Sequence, residues 1–448
     1  MKRIELVRSG SGGCVPAAGA ARLGLFFTLS LLLGGCATYS ETFTPVERKL
    51  AAQQPEHALQ LLEKRRHSRR DEVLYLLNKG MLLRMTRDYE ASNQAFEAAK
   101  RRINELYGAS ITEQAASFII NDGTRSFVGA EFEQVLVHLY MALNYLEMRQ
   151  LDQARVEALQ VDIRLREIAE HVPESAYTED AFARYLTGII YEERGEWSDA
   201  MIAYRKAYQS YNKYHDRFGT EIPVFLKYDL LRLSERMGLT QELARYKREF
   251  SISQWQDVAS LRRQGELIFM LHNGLAPKKR EQSAMVINPQ SGRLIRVSLP
   301  EYQPRPQPVL RARLIVDGDR VRTQVAEDIT GIAIKSLEAK MPAITARAVA
   351  RAVLKDQTAK QAGKQHELAG LMVNLMNVMT ERADTRSWAT LPGNIHFARL
   401  PLPPGNYAVK VELLGSGDAV LATRELSNIT IRAGEKNYYS YHWIPSRL

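Results

Sequence analysis

From residue 45 to about 250, apolar residues recur three and four positions apart, with few prolines and few β-branched runs. That spacing lines one face of a helix, so the segment is predicted to be a series of amphipathic helices. The pattern changes after 251. Glu266–Leu271 and Arg293–Ser298 predict strands, and Pro300, Pro304, Pro306 and Pro308 keep the following stretch out of any helix. Arg311–Val316 and Arg320–Val325 flank Asp317-Gly318-Asp319, which reads as a hairpin. Leu402–Leu413, Ala422–Ile431 and Asn437–Trp443 bring the strand candidates to at least seven.

Helical patterns interrupt the strands. Ile329–Met341 predicts one helix, and Pro342 suits the first turn of a second that runs to about Gln361. In a third, Leu368–Met379, the residues Met372, Met376 and Met379 share a face. That face is either an adaptable docking surface or buried against the strands or the preceding helix. The loop Asp384–Gly393 has two readings. Asp384, Arg386 and Trp388 could together hold a sugar ring or a peptide; alternatively the loop is a structural plug, with Trp388 buried and Asp384 paired to Arg386. The predicted class is α+β and multidomain: an α-helical solenoid over 45–250, then a β-sandwich domain over 251–448 with a helical insertion at about 327–383.

The first residues read as an address. Lys2, Arg3, Arg8 and Arg22 precede the apolar run Leu23–Leu33, which is followed by Gly34-Gly35-Cys36. This order is that of a secretory signal, and the apolar run is too short to span a bilayer. Leu33-Gly34-Gly35-Cys36 resembles the lipobox of bacterial lipoproteins, which implies cleavage before Cys36 and lipidation of its thiol. Ala37, in place of the aspartate that retains such proteins at the inner membrane, implies an outer-membrane anchor with the body in the periplasm. Residues 1–35 are then the signal peptide and 36–44 a lipidated tether. Cys14 leaves with the signal, so no free thiol remains for cysteine catalysis.

Within the helical half, Gly188, Tyr191, Gly195, Trp197, Ala200, Tyr204 and Ala207 fill a pattern that resembles a tetratricopeptide repeat. Gly80, Leu83, Tyr89, Ser92, Phe96 and Ala99 repeat it, and so do Ala142, Tyr145, Leu151, Ala154 and Ala158. The equivalent small positions, Ala58, Ser92, Ala154, Ala200 and Leu243, lie 34, 62, 46 and 43 residues apart, so insertions interrupt the array. The largest insertion, about 101–130, carries Ser117–Val128, a turn that either lines the concave face or packs between helices. The resemblance implies protein binding on an extended groove, with Tyr145 and Tyr191 as first candidates. Pro403-Pro404-Gly405-Asn406-Tyr407 is similar to small immunoglobulin-like envelope modules. In their order, these features resemble an uncharacterised family of proteobacterial lipoproteins, which implies a place in cell-envelope assembly.

Charge sharpens this picture. The chain of 448 residues carries a formal +10, and residues 251–448 hold 27 basic and 17 acidic residues against 30 and 33 in residues 36–250. An exported chain does not meet nucleic acid, so the basic half would face peptidoglycan, an anionic glycolipid or an acidic partner. Arg311, Arg313, Arg320 and Arg322 alternate with apolar residues, as on the outer face of a sheet. The nine histidines are scattered without metal-ligand spacing, and no nucleophile-elbow or phosphate-loop motif occurs. Acidic pairs such as Glu192-Glu193 read as solvated helix faces. The expected function is a non-enzymatic adaptor, without cofactor or metal, that binds envelope partners through the repeats. The alternatives are a peptidoglycan- or polysaccharide-binding protein and an envelope hydrolase.

Overall fold

A computed structural model of the protein describes residues 39–113, 125–172, 175, 177–288, 292, 294–365 and 382–447. The lipobox with Cys36, the Ser117–Thr124 part of the insertion and the Met372, Met376, Met379 face lie outside the described residues. The helical half begins with a short helix α1 (Tyr39–Thr42) and continues as five antiparallel pairs. These are α2 (Thr44–Ala51) with α3 (Pro55–Lys64), α4 (Glu72–Met85) with α5 (Tyr89–Glu113), α6 (Glu131–Glu147) with α7 (Leu151–His171), α8 (Ala181–Arg194) with α9 (Trp197–Phe218), and α10 (Val224–Arg236) with α11 (Thr240–Phe250). Each pair also packs on the next, which is the stacking of a tetratricopeptide-like array.

The repeat register is visible in atoms. Ala58, Ser92, Ala154, Ala200 and Leu243 are each the fourth residue of a second helix, and the first four are fully buried. A Cβ on Gly80 or Gly188 would overlap the ring carbons of Phe96 or Tyr204, so these two glycines set how closely their helices approach. All five turns use one left-handed residue: Gln53, Arg87, Arg149, Gly195 and Gly238. Glycine fills only two of them, and the other three bear a cost of about 1–2 kcal/mol that the packing on either side outweighs.

A helix α12 (Val258–Arg263) leads into the strands β1 (Gly265–Asn273), β2 (Lys278–Ile287), β3 (Leu294–Gln303), β4 (Arg311–Val316), β5 (Asp319–Arg322), β6 (Gln324–Glu327), β7 (Asn394–Leu402), β8 (Gly405–Leu414), β9 (Val420–Ile431) and β10 (Lys436–Trp443). One sheet runs β10-β1-β7-β6, a second β5-β4-β8-β9, and β2 and β3 form a separate hairpin. Strand β1 is buried along its whole length because both its faces are covered. Leu267, Phe269 and Leu271 pack on Ala312, Leu314, Val409 and Val411 of the second sheet, whereas Ile268 and Met270 join the core of the helices. The layers are therefore helices, sheet, sheet, and one apolar cluster runs from Val73 through Phe397 to Tyr438.

The two sheets face each other as in a sandwich, but the connectivity is not that of an immunoglobulin domain. There the first strand lies at a sheet edge; here β1 is interior, parallel to β10 and antiparallel to β7. The single strand expected over Arg320–Val325 divides at Thr323, whose backbone N–H and hydroxyl bond Ala312 while the chain crosses from β4 to β7. The two helices expected on either side of Pro342 are one helix, α13 (Ile329–Gln365). Proline removes one backbone bond, yet both ends are held: Ile329, Ile332 and Ala333 in the main core, Ala348 and Ala352 against Val297 of the β2–β3 hairpin. Strands β2 and β7 have no counterpart in the sequence pattern. Among the described residues no helix is long and apolar enough to cross a membrane.

Candidate functional site

Helices α6, α8 and α10, each the first of its pair, turn one side toward the β10-β1-β7-β6 sheet, and that side is covered. Phe397 of β7 meets Phe182, Tyr185 and Phe225 with ring centroids 5.4–5.9 Å apart. Tyr140 of α6 lies against His272 and Trp388. The groove expected to receive a partner is thus filled by the chain's own sheet. Tyr145 and Tyr191 do not face it. Tyr191 is buried beneath the Arg155 guanidinium, 5.6 Å from its ring centroid, and Tyr145 is half-buried beside Asn93, between helices. Both are held in the helix packing.

At one end of this interface the sheet presents Glu266, Arg399 and Lys436 to Glu192 of α8 and to Asp229 and Arg232 of α10. Arg399 reaches Asp229 at 2.5 Å, Glu266 at 2.7 Å and Glu192 at 3.5 Å, and Lys436 reaches Glu266 at 3.1 Å. Arg232 bonds Glu192 at 2.9 Å and also pairs with Asp229, while Tyr204 and Tyr185 donate to Glu192 and Asp229. Three cations meet three carboxylates. Burial alone would raise the pKa of Glu266, but Arg399 and Lys436 bring it down to about 2. Burial prevails at Asp229 and Glu193, whose pKa values rise. Glu192 and Glu193 are therefore not a solvated face: the first sits in the network and the second accepts from the Tyr438 hydroxyl at 2.5 Å. A cavity of about 550 Å³ abuts this network, but the Asp229, Arg232, Glu266 and Arg399 side chains that line it are committed to one another.

The Asp384–Gly393 loop has the geometry of a plug. Trp388 is 1% exposed, donates its backbone N–H to Glu133 at 2.7 Å and sets its ring edge-on to Phe96 and Tyr140. Trp388 thus presents no surface to a ligand in solution. Asp384 takes two bonds from the Arg386 guanidinium, at 2.9 and 2.7 Å, and one from its backbone N–H at 3.0 Å, and Arg386 also reaches Asp71 and the Arg125 carbonyl. Burial works against the Asp384 carboxylate, but Arg386 and Lys279 hold its pKa below the usual range.

That plug forms one wall of a cavity of about 340 Å³. The opposite walls are Arg125–Ala130, the base of the β2–β3 hairpin and one face of α13. Arg125, Lys279, Lys340, Arg347, Arg351 and Arg386 line it against one lining carboxylate, Asp384. Lys340 pairs with Glu131 at 2.5 Å, and the Lys279 ammonium donates to the Arg386 carbonyl at 3.2 Å. Burial pulls the Lys279 pKa down, against the opposing charges of Asp384 and Glu133. Two polar atoms facing this space have no partner, the Arg347 Nε and the Oγ of Ser336, a residue only 6% exposed. Lys340 and Arg386 already hold carboxylates, so it is the Arg347 and Ser336 donors that suit a small anionic group.

Of the residues singled out in the sequence, the cavity gathers Asp384 and Arg386 and the end of the Ser117–Val128 turn. It leaves out Tyr145, Tyr191 and Trp388. Lys279, Lys340, Arg347 and Arg351 were not picked out, although Ser336, Lys340, Ile344, Arg347 and Arg351 recur at helical spacing and share one face of α13. Among the described residues no group of three or more His, Cys, Asp or Glu is placed to hold a metal ion.

No protein-family model and no curated protein matches the chain. Among solved structures, the MamA RS-1 ArsTM double mutant is 16% identical, with 47% of this chain and 92% of that chain covered at a TM-score of 0.30. MamA 41-end from Desulfovibrio magneticus RS-1 is also 16% identical, over 47% and 93%, at 0.29. The Rap conjugation gene regulator of the plasmid pLS20, in complex with the Phr* peptide, is 15% identical over 55% of this chain and 60% of that chain, at 0.28. Likeness at this level supports no conclusion about this chain, whose repeat architecture rests on its own helix pairs.

Proposed function

We propose that the protein is an outer-membrane lipoprotein, anchored through Cys36 and facing the periplasm, that acts without covalent chemistry as a docking component of the cell envelope. Its partner surface is the outer side of the helical array, since the inner side is covered by the sheet. The observation that carries this is an apolar stripe on α7: Val156, Leu159 and Ile163 are 53%, 39% and 43% exposed at helical spacing. Ile202 continues it at the equivalent position of α9, which Lys206 ties to α7 through Asp162 at 2.6 Å. Solvated helices have no need of such a stripe, and rows of exposed apolar side chains mark interaction sites.

The test is site-specific photocrosslinking in cells at Ile163, compared with the solvated Gln209 of α9. One envelope protein captured at Ile163, lost in the Val156→Glu variant and absent at Gln209, is the expected result. Equal capture at both positions sinks the docking surface. Separately, the Cys36→Ser chain is expected to leave the membrane fraction, and retention there refutes the anchor. A basic cavity favours the second reading, an envelope protein that holds an anionic ligand.

A further inference from the structure

We infer that the 340 Å³ basic cavity is a receptor for a phosphate-bearing lipid headgroup of net negative charge, from the membrane that holds the chain. This rests on the anchored reading of Cys36. Four observations lead there. The lining is rich in guanidinium and ammonium groups, some of them already paired, and a phosphate monoester or diester supplies the compact charge and acceptor oxygens such groups bind best. The unpartnered Arg347 Nε and Ser336 Oγ are donors in need of an acceptor. Phe127 and Tyr302 add apolar wall beside Arg386 and Lys279, which suits a headgroup more than a bare ion.

The fourth observation is position. The Ser40 hydroxyl donates to the Lys279 carbonyl at 2.6 Å, so the chain is fixed to the cavity wall four residues after Cys36. Tyr39, only three residues after it, stacks on the fully buried Phe43. Three extended residues span at most about 11 Å. A lipid on Cys36 therefore holds Tyr39, and with it the Ser40–Lys279 contact on the cavity wall, close to the bilayer surface. The anchor would supply the approach and the cavity the orientation, turning a tethered body into one seated on the membrane by two points.

The test uses the full chain carrying Cys36→Ser, so that no acyl group contributes. Sedimentation with phosphatidylcholine vesicles, with and without phosphatidylglycerol, is read beside calorimetry with inorganic phosphate. Binding only to the phosphatidylglycerol vesicles is expected. Arg347→Gln should weaken it about fivefold, the effect of one basic residue at an anionic surface. Arg320→Gln, on the exposed edge strand β5 of the second sheet, should leave it unchanged. Three results overturn the proposal: equal losses in both variants, which mean diffuse charge attraction; binding of inorganic phosphate without vesicle binding, which moves the source from lipid to solution; and no binding of either. Because no protein partner takes part, each of these leaves the Ile163 crosslinking result to decide the docking surface on its own.

Discussion

Two groups of charge sit where the helical array meets the strands, and they differ in balance. Around Arg399, three cations and three carboxylates interlock, and tyrosine hydroxyls complete the carboxylates. Around Arg347, six cations line a cavity with one carboxylate among them, and donors are left over. Both hold buried arginine and lysine, so burial of charge alone does not separate structure from function. The closed set fixes how helices and sheet register on each other. The open set has capacity for something the chain does not supply.

The sharpest way to break this comparison is to delete one guanidinium from each group. Arg399→Met should cost about 3–5 kcal/mol in denaturant unfolding, because Glu266, Asp229 and Glu192 stay buried with their main partner gone. A loss below 1 kcal/mol would falsify the interlocked reading.

The opposite end of the same sheet face offers an intermediate effect through pH. His272 and His442 stack there at 4.3 Å, and burial drives both pKa values well below the usual histidine range. On the other face of that sheet, opposite Leu271, burial with help from the Arg311 charge holds His396 at about 4. Unfolding restores about 6.5, so the unfolded chain takes up the protons. Stability is complete above pH 6.5 and lost as the pH falls towards 4, by about 3 kcal/mol for His396 alone. His396→Leu should flatten that acid slope in thermal melts at pH 7.5 and 4.5. An unchanged slope would mean the imidazole is not held neutral. The mutation should cost little at pH 7.5, since neither ring nitrogen has a partner.

The smallest effect on stability belongs to the cavity. Arg347→Gln should change the unfolding free energy by no more than about 0.5 kcal/mol, because its Nε has no partner to lose, while weakening vesicle binding. Salt adds a contrast: the closed network should be nearly indifferent to 1 M salt, and cavity binding should fade as the screening length shrinks from about 10 to about 3 Å. A network variant and a cavity variant with equal stability losses would erase the distinction.

Much of the helical array was legible because its rules are local. A small residue at the fourth position of four of the five second helices follows from how closely two neighbouring helices pack, and those helices are adjacent in the chain. The Asp317-Gly318 turn was legible for the same reason: its left-handed backbone is a property of two residues. Strand β7 was not, since Asn394–Leu402 mixes His396, Arg399 and Pro401 with apolar residues and alternates for two different neighbours. Lys278–Ile287 reads as polar chain because β2 pairs only with β3 and exposes most of its length.

The sequence by itself determined the tetratricopeptide-like helix pairs, most of the strand candidates and the gathering of positive charge after residue 251. Each depends on periodicity or composition, which a single chain carries openly. Only the tertiary structure decided that the sheet fills the groove of the array, that Glu192 is a buried partner and not a solvated acid, and that Arg125, Lys279 and Arg347 share one cavity. The physical reason is that a charge is classified by its neighbours. Glu192 and Arg399 lie 207 residues apart in sequence but 3.5 Å apart in space, and no local pattern in either segment encodes that meeting.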